Sequence, residues 1–363
     1  MMNIPGISNS INTIHKIANA AVNTVAEKVI HPLRERLENF FACIHGIKNS
    51  NDTPTLLNKN AVFSSIATST EREKMLATID ADVELANYPY RQDVNLLTKH
   101  AENWRLNDTI NHQLMEKLSA NFPGLEFSRN KSVITDKSSG LVFSLFHNKE
   151  NGDNGEVRLV FGGSSSGTAS GGLAERSVRN ARNTAMHWAG NAKNAVFGGI
   201  PESYNKASQI LKTLLEISET PLKEGDSAPG FTVSVSGHSK GAGEAAYAAI
   251  KNYSPGKEAI KATCFCTAEF GRGIQSELLT HFKSEESVIE ASKGVRHCLI
   301  AGDKVPEMSQ FFSKLTNVGT SITLNSQVKG QNHALGRHDK FAAHVHGREF
   351  VAAECHAGLP EGK

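Results

Sequence analysis

The sequence predicts an α/β fold: a mainly parallel sheet covered by helices on both faces, with an N-terminal helical extension. Three observations carry this expectation. Apolar runs of strand length alternate with longer runs of helical period from about residue 140 onward. Two of the strand-like runs, within "KATCFCTAEFG" (261–271) and "VRHCLIAG" (295–302), are nearly continuous in apolar residues, as strands buried on both faces are. And in "FTVSVSGHSKGAGEAAYAAIK" (231–251) a strand pattern turns directly into a small-residue helix pattern at a single serine.

The first fifty residues have helical period of their own. Ile11, Ile14, Ile17, Ala21, Val25 and Val29 share one stripe, opposite Asn, Lys and Glu. Ser10 suits an N-cap, and Pro32 both ends this helix and suits the start of a second, carrying Leu33, Leu37, Phe40, Phe41 and Ile44. Residues 51–60 are polar and interrupted by Pro54, the composition of a linker. Residues 61–134 read as a helical region packed on the core, and 135–363 as the α/β domain.

Within that domain, "GLVFSLFHNKENGDNGEVRLVFGG" predicts a hairpin, with strands near 140–147 and 156–162 around a Gly/Asn/Asp turn. "GGSSSGTASGG" then reads as a loop. A helix is expected from Pro201, with Tyr204, Ala207, Ile210, Leu211, Leu214 and Ile217 on one face.

Composition narrows the function. The 363 residues carry a formal net charge of +2, too little for a strong nucleic-acid-binding field, so no nucleic-acid partner is expected. The five cysteines form no disulfide framework, and Cys264 and Cys266 have no second pair to complete a zinc site. The first thirty residues lack the apolar core of a secretory signal peptide, and no apolar run reaches membrane-spanning length.

The serine at the junction is Ser239. A strand that turns sharply into a helix strains the turn residue and brings the residues two before and two after it too close for a Cβ, which Gly237 and Gly241 satisfy. The serine Oγ then stands clear at the top of the sheet. The backbone N–H of Lys240 becomes available to a developing oxyanion. Such a nucleophile needs a base, an acid to orient it, and a second oxyanion donor. Asp303 follows the 295–302 strand at its carboxyl end, where catalytic groups of open α/β sheets gather. Ser164, after the strand ending in Gly162 and Gly163, suits the second donor. The C-terminal stretch "QNHALGRHDKFAAHVHGREF" offers His333, His338, His344 and His346 as bases. His344 and His346 have strand spacing for two metal ligands but no carboxylate or thiol pair to complete a set, so no metal and no cofactor is expected.

These motifs resemble those of the class 3 lipases, the fungal and plant triacylglycerol lipase family of α/β hydrolases. Their "FRG[ST]" loop resembles "VFGGSSSG", which implies Ser164 as the oxyanion residue, with Gly162 in place of the arginine. Their "GHSLGGALA" resembles "GHSKGAGEA" around Ser239, with Ala242 departing from a glycine. Their "TFGxPRxG" is weakly similar to "CTAEFGRG". Their "DxVPxLP" resembles "GDKVPEM" and implies Asp303 as the acid. Their closing "H-x-x-Y" resembles "RHDKF", which implies His338 as the base, with Phe341 for the tyrosine and His344 as the alternative. The lysine in "GHSKG" resembles a bacterial lipase-like branch. The resemblance spans residues 135–350 and implies a serine ester hydrolase, lipase or phospholipase, acting on a lipid or ester substrate. Acyl transfer or deacylation on the same triad, or an inactive binding module, are the alternatives. The first fifty residues are similar to the start of a bacterial type III secreted effector. That similarity implies export into a host cell without a cleavable signal, otherwise a cytoplasmic protein, with a secretion chaperone or a weak membrane-surface contact at this segment.

Overall fold

The computed structural model describes residues 63–66, 81–89, 101–106, 108–119, 121–127, 133–148, 155–163, 199–219, 230–301 and 316–325. All belong to the second of the two units into which the chain divides, Thr55–Lys363. The amphipathic segment 1–50 and the Gly/Ser loop after Gly163 lie outside the described residues.

The described strands form one sheet. They are β1 (Phe63–Ile66), β2 (Trp104–Leu106), β3 (Leu125–Phe127), β4 (Ile134–Asp136), β5 (Leu141–Asn148), β6 (Glu156–Phe161), β7 (Thr232–His238), β8 (Ala262–Phe265), β9 (Val295–Ala301) and β10 (Gly319–Asn325). Their order is β1-β10-β9-β8-β7-β6-β5-β4-β3, with β2 beside β5. From β1 to β6 every pairing is parallel. From β6 to β3 every pairing is antiparallel. On β5, β4 pairs with Leu141–Phe143 and β2 with Phe146–Asn148, so two short strands share one edge.

The helices follow from their sequence faces. They are α1 (Asp108–Ser119), α2 (Glu202–Ser218), α3 (Lys240–Lys251), α4 (Arg272–Phe282) and α5 (Glu285–Ser292), with further helical residues at 81–89. Pro201 caps α2 in an extended conformation, and the expected stripe from Tyr204 to Ile217 is buried. Every residue of α3 from Lys240 to Ile250 is buried, because its alanines and glycines let it lie close to the sheet. Ser284 Oγ accepts from the Ser287 N–H at 3.2 Å and caps α5.

Strand alternation separates two cores. Leu141, Phe143 and Leu145 of β5 and Val157, Leu159 and Phe161 of β6 join α1, α2 and α3 in one cluster. Val142, Phe146 and Val160 face the other way and pack with Leu85 and Tyr88 of the 81–89 helix. The sheet therefore carries helices on both faces, as the sequence predicts. The 140–147 and 156–162 hairpin also forms, as β5 and β6.

Two expectations change. Residues 61–134 are not helical throughout: β1, β2 and β3 lie there beside α1 and the 81–89 helix. These strands are three or four residues long, too short to show a period, and β1 gains its partner from β10 far along the chain. The strand expected over 261–271 stops at Phe265, because Cys266 takes a left-handed φ of 48° and turns the chain out of the sheet.

Candidate active site

The carboxyl ends of the parallel strands bring the site together. In register, Phe161 of β6 lies beside Gly237 of β7, and His238 of β7 beside Phe265 of β8. Ser239 follows β7 directly and caps α3. Its φ of 58° and ψ of −122° lie outside the regions an L-residue ordinarily occupies. Such a backbone costs on the order of 1–3 kcal/mol and persists only where its surroundings fix it.

The fixing contacts are visible. The Ser239 N–H donates to Phe265 O at 2.9 Å. The Ser239 carbonyl accepts from Ala242 at 3.1 Å, Gly243 at 3.3 Å and Ala268 at 3.2 Å. The strained residue is thus held by its own helix and by the chain leaving β8.

The glycines close the turn. A Cβ on Gly237 would stand 2.4 Å from the Gly241 oxygen. One on Gly241 would stand 2.4 Å from the Phe161 oxygen and 2.8 Å from the Gly162 carbonyl carbon. Both positions are closed to any side chain, as the strand–turn–helix argument requires. Gly241 also draws α3 against the end of β6, so the chain enters the Gly162–Gly163 segment beside the helix that carries Ser239. This strained serine, at the carboxyl edge of a mainly parallel sheet and directly ahead of a buried helix, decides the architecture. The fold is that of an α/β hydrolase.

Lys240 is the first residue of α3, so its backbone N–H has no partner within the helix. Ser164, Asp303, His338 and His344 lie outside the described residues. The elements that lead to them are described: β6 ends at Phe161, β9 at Ala301 and β10 at Asn325.

Two features next to Ser239 escape sequence reasoning. Glu269, buried at 5% exposure, follows Ala268, whose N–H holds the Ser239 carbonyl. The Lys240 side chain is also buried, and its ammonium pairs with Glu244 Oε1 four residues on. Burial raises the Glu244 pKa, while Lys240 and the Ser203 hydroxyl act to lower it. The i,i+4 spacing was a signal for this pair, but only the fold shows that both members are inside.

Deeper in the sheet, His297 is fully buried. Its Nδ1 lies 2.9 Å from the Thr267 hydroxyl and its Nε2 lies 3.1 Å from Val318 O. Burial lowers its pKa to about 4, so it is neutral at pH 7 and structural in role. Cys264, Cys266 and Cys298 are buried free thiols. Among the described residues no cluster of three His, Cys, Asp or Glu side chains could hold a metal, and no helix is long and apolar enough to cross a membrane.

No family model and no curated protein matches the chain. Among solved structures, it is similar to a mutant form of MDLA from Penicillium cyclopium, at 15% identity and a TM-score of 0.38, over 72% of this chain and 83% of that one. It is also similar to a native Rhizomucor miehei lipase propeptide complex, at 13% identity and a TM-score of 0.34, over 77% of this chain and 78% of that one. The fold rests on the sheet topology and the elbow rather than on these overlaps.

Proposed function

We propose that the protein is a serine ester hydrolase acting on lipid acyl esters, a lipase or phospholipase. The observation that carries this reading is the backbone of Ser239, strained at φ 58° and fixed between Gly237 and Gly241. A turn serves no evident structural need by holding a serine there, and strain of this kind collects at sites of chemistry.

In the proposed reaction Ser239 Oγ attacks the ester carbonyl while His338 takes its proton. The carbonyl oxygen becomes an oxyanion, held by the backbone N–H groups of Lys240 and Ser164. The C–O bond to the leaving alcohol breaks, and His338 returns the proton to that alcohol. Water, activated by the same histidine, then releases the acid from the acyl-enzyme. Asp303 orients the histidine and balances its charge.

Chain connectivity supports these assignments. Asp303 is two residues past the end of β9, and His338 follows β10, the next strand over. Ser164 is the third residue after β6, whose end packs against Gly241. The same elements support acyl transfer if an alcohol or amine replaces water. Delivery into a host cell belongs to the proposal through the sequence of residues 1–50.

The test is hydrolysis of short esters, long esters and phospholipids by the native chain and by Asp303→Asn, His338→Ala and His344→Ala. The native chain should turn over long-chain substrates. Asp303→Asn and His338→Ala should each lower kcat by roughly a thousandfold or more. A loss confined to His344→Ala would move the base to His344, and equal activity in Asp303→Asn would require another carboxylate.

A further inference from the structure

The Lys240–Glu244 pair sits where stability alone does not explain it. Lys240 is 1% exposed and Glu244 fully buried, so both charges have left water. A buried ion pair is often no more stabilising than apolar side chains of the same size. The order is also unfavourable: the cation stands at the positive end of α3 and the carboxylate one turn inside it, the reverse of what the helix dipole prefers.

What the pair does is reach across to α2. The buried Ser203 hydroxyl, in the first turn of α2, acts to lower the Glu244 pKa against the rise that burial causes. The Tyr204 Oη lies against α3 so closely that a Cβ on Gly243 would stand 2.3 Å from it. Burial, and after it the Glu244 charge, raises the Tyr204 pKa, so the two groups are electrostatic neighbours. Tyr204 Oη and Glu244 Oε2 each lack a hydrogen-bond partner among the described residues. The Lys240–Glu244 pair and the Tyr204 hydroxyl against Gly243 thus bring the residue after Ser239 up to the first turn of α2.

We propose that this buried network positions the Lys240 backbone N–H for the oxyanion, making Lys240 (through its side chain), Glu244, Ser203 and Tyr204 positioning residues for the reaction. The inference rests on the ester-hydrolase reading above. A charge that develops beside the first turn of a helix pulls on that turn, and a preorganised donor must not move in response. An i,i+4 pair locks the first turn to the second, and Ser203 and Tyr204 lock both to a second helix.

The test compares the native chain with Lys240→Met/Glu244→Met, which keeps volume and removes both charges. The readouts are Tm, kcat and KM on one ester, and the rate of labelling by a fluorophosphonate, whose phosphoryl oxygen uses the same donors. The double variant should fold with a near-native Tm, hold KM within about twofold, and lose about tenfold or more in both kcat and labelling rate. A purely structural pair would leave kcat and labelling at native values in the folded double variant, and that result overturns the inference. If the double variant fails to fold, Ser203→Ala/Tyr204→Phe decides. It should show about a threefold or larger loss in kcat at native Tm, and native kcat there would equally overturn the inference. A native chain that neither hydrolyses esters nor labels would overturn the hydrolase reading itself, and the inference with it.

Discussion

Two buried ion pairs lie on opposite faces of the sheet, and they are built at very different sequence distances. On one face, Arg158 of β6 pairs with Asp82 of the 81–89 helix and with Glu156 at 2.8 Å. It also donates to Ser234 Oγ at 3.0 Å and stacks 4.6 Å from the centre of the Trp104 ring. Burial lowers its pKa only to about 10, so it stays charged at pH 7. On the other face, Lys240 pairs with Glu244 inside a single helix. The first cluster gathers β2, β6, β7 and the 81–89 helix and so specifies how that helix meets the sheet. The second joins residues that α3 already holds together. A charge pair that is not needed to bring its own members together, placed beside a strained serine, points to chemistry. One that spans the fold points to assembly.

The largest effect that sharpens this contrast belongs to the turn itself. Gly237→Ala or Gly241→Ala places a Cβ within 2.4 Å of a backbone oxygen that cannot move aside. Either should cost more than about 3 kcal/mol, because backbone and strand must shift together, and should remove activity. Chemical unfolding would read it, and a native midpoint for Gly241→Ala would mean α3 does not lie against β6 as described.

Next in size is Arg158→Met. It leaves Asp82, at 3% exposure, without its cation. A loss of about 3–5 kcal/mol is expected, with kcat of the folded fraction unchanged. A fall in kcat without a fall in stability would reverse the roles assigned to the two pairs.

The smallest effect is a pH dependence. His297 has a folded pKa of about 4, below the unfolded value of roughly 6.5. Above pH 6.5 it is neutral in both states and its contribution is complete. As pH falls toward 4 the unfolded chain takes up a proton that the folded chain refuses, and stability drops by about 3 kcal/mol. His297→Gln should flatten that slope. An unchanged slope in the variant would assign the acid sensitivity to other groups.

The local parts of the fold and of the site are legible in the sequence. Gly237, Ser239 and Gly241 are fixed by a turn five residues long, so their spacing alone shows the steric need. The hairpin and the α2 stripe are similarly local. The strands β1 to β3 were not legible, since each is only three or four residues long, and β1 and β2 also pair with strands far along the chain. Nor was Asp82 with Arg158, which meets only across the folded sheet. The second charge pair is an intermediate case. Where the lipase motif "GHSLGGALA" has leucine at both positions, this chain has Lys240 and Glu244, and where that motif has a second adjacent glycine it has Ala242 followed by Gly243. Read one at a time these are departures. In the fold, the two charges answer each other and Gly243 makes room for the Tyr204 hydroxyl.

The central claim is that Ser239 is an activated nucleophile, and the most direct measurement is covalent labelling of the full chain with a fluorophosphonate, located by peptide mass analysis. The serine Oγ displaces fluoride from phosphorus, and its proton passes to the base. One adduct is expected, on the peptide that carries Ser239, absent in Ser239→Ala, which should keep its Tm and lose ester hydrolysis by several orders of magnitude. An unlabelled native chain, an adduct on another residue, or near-native hydrolysis by Ser239→Ala would contradict it.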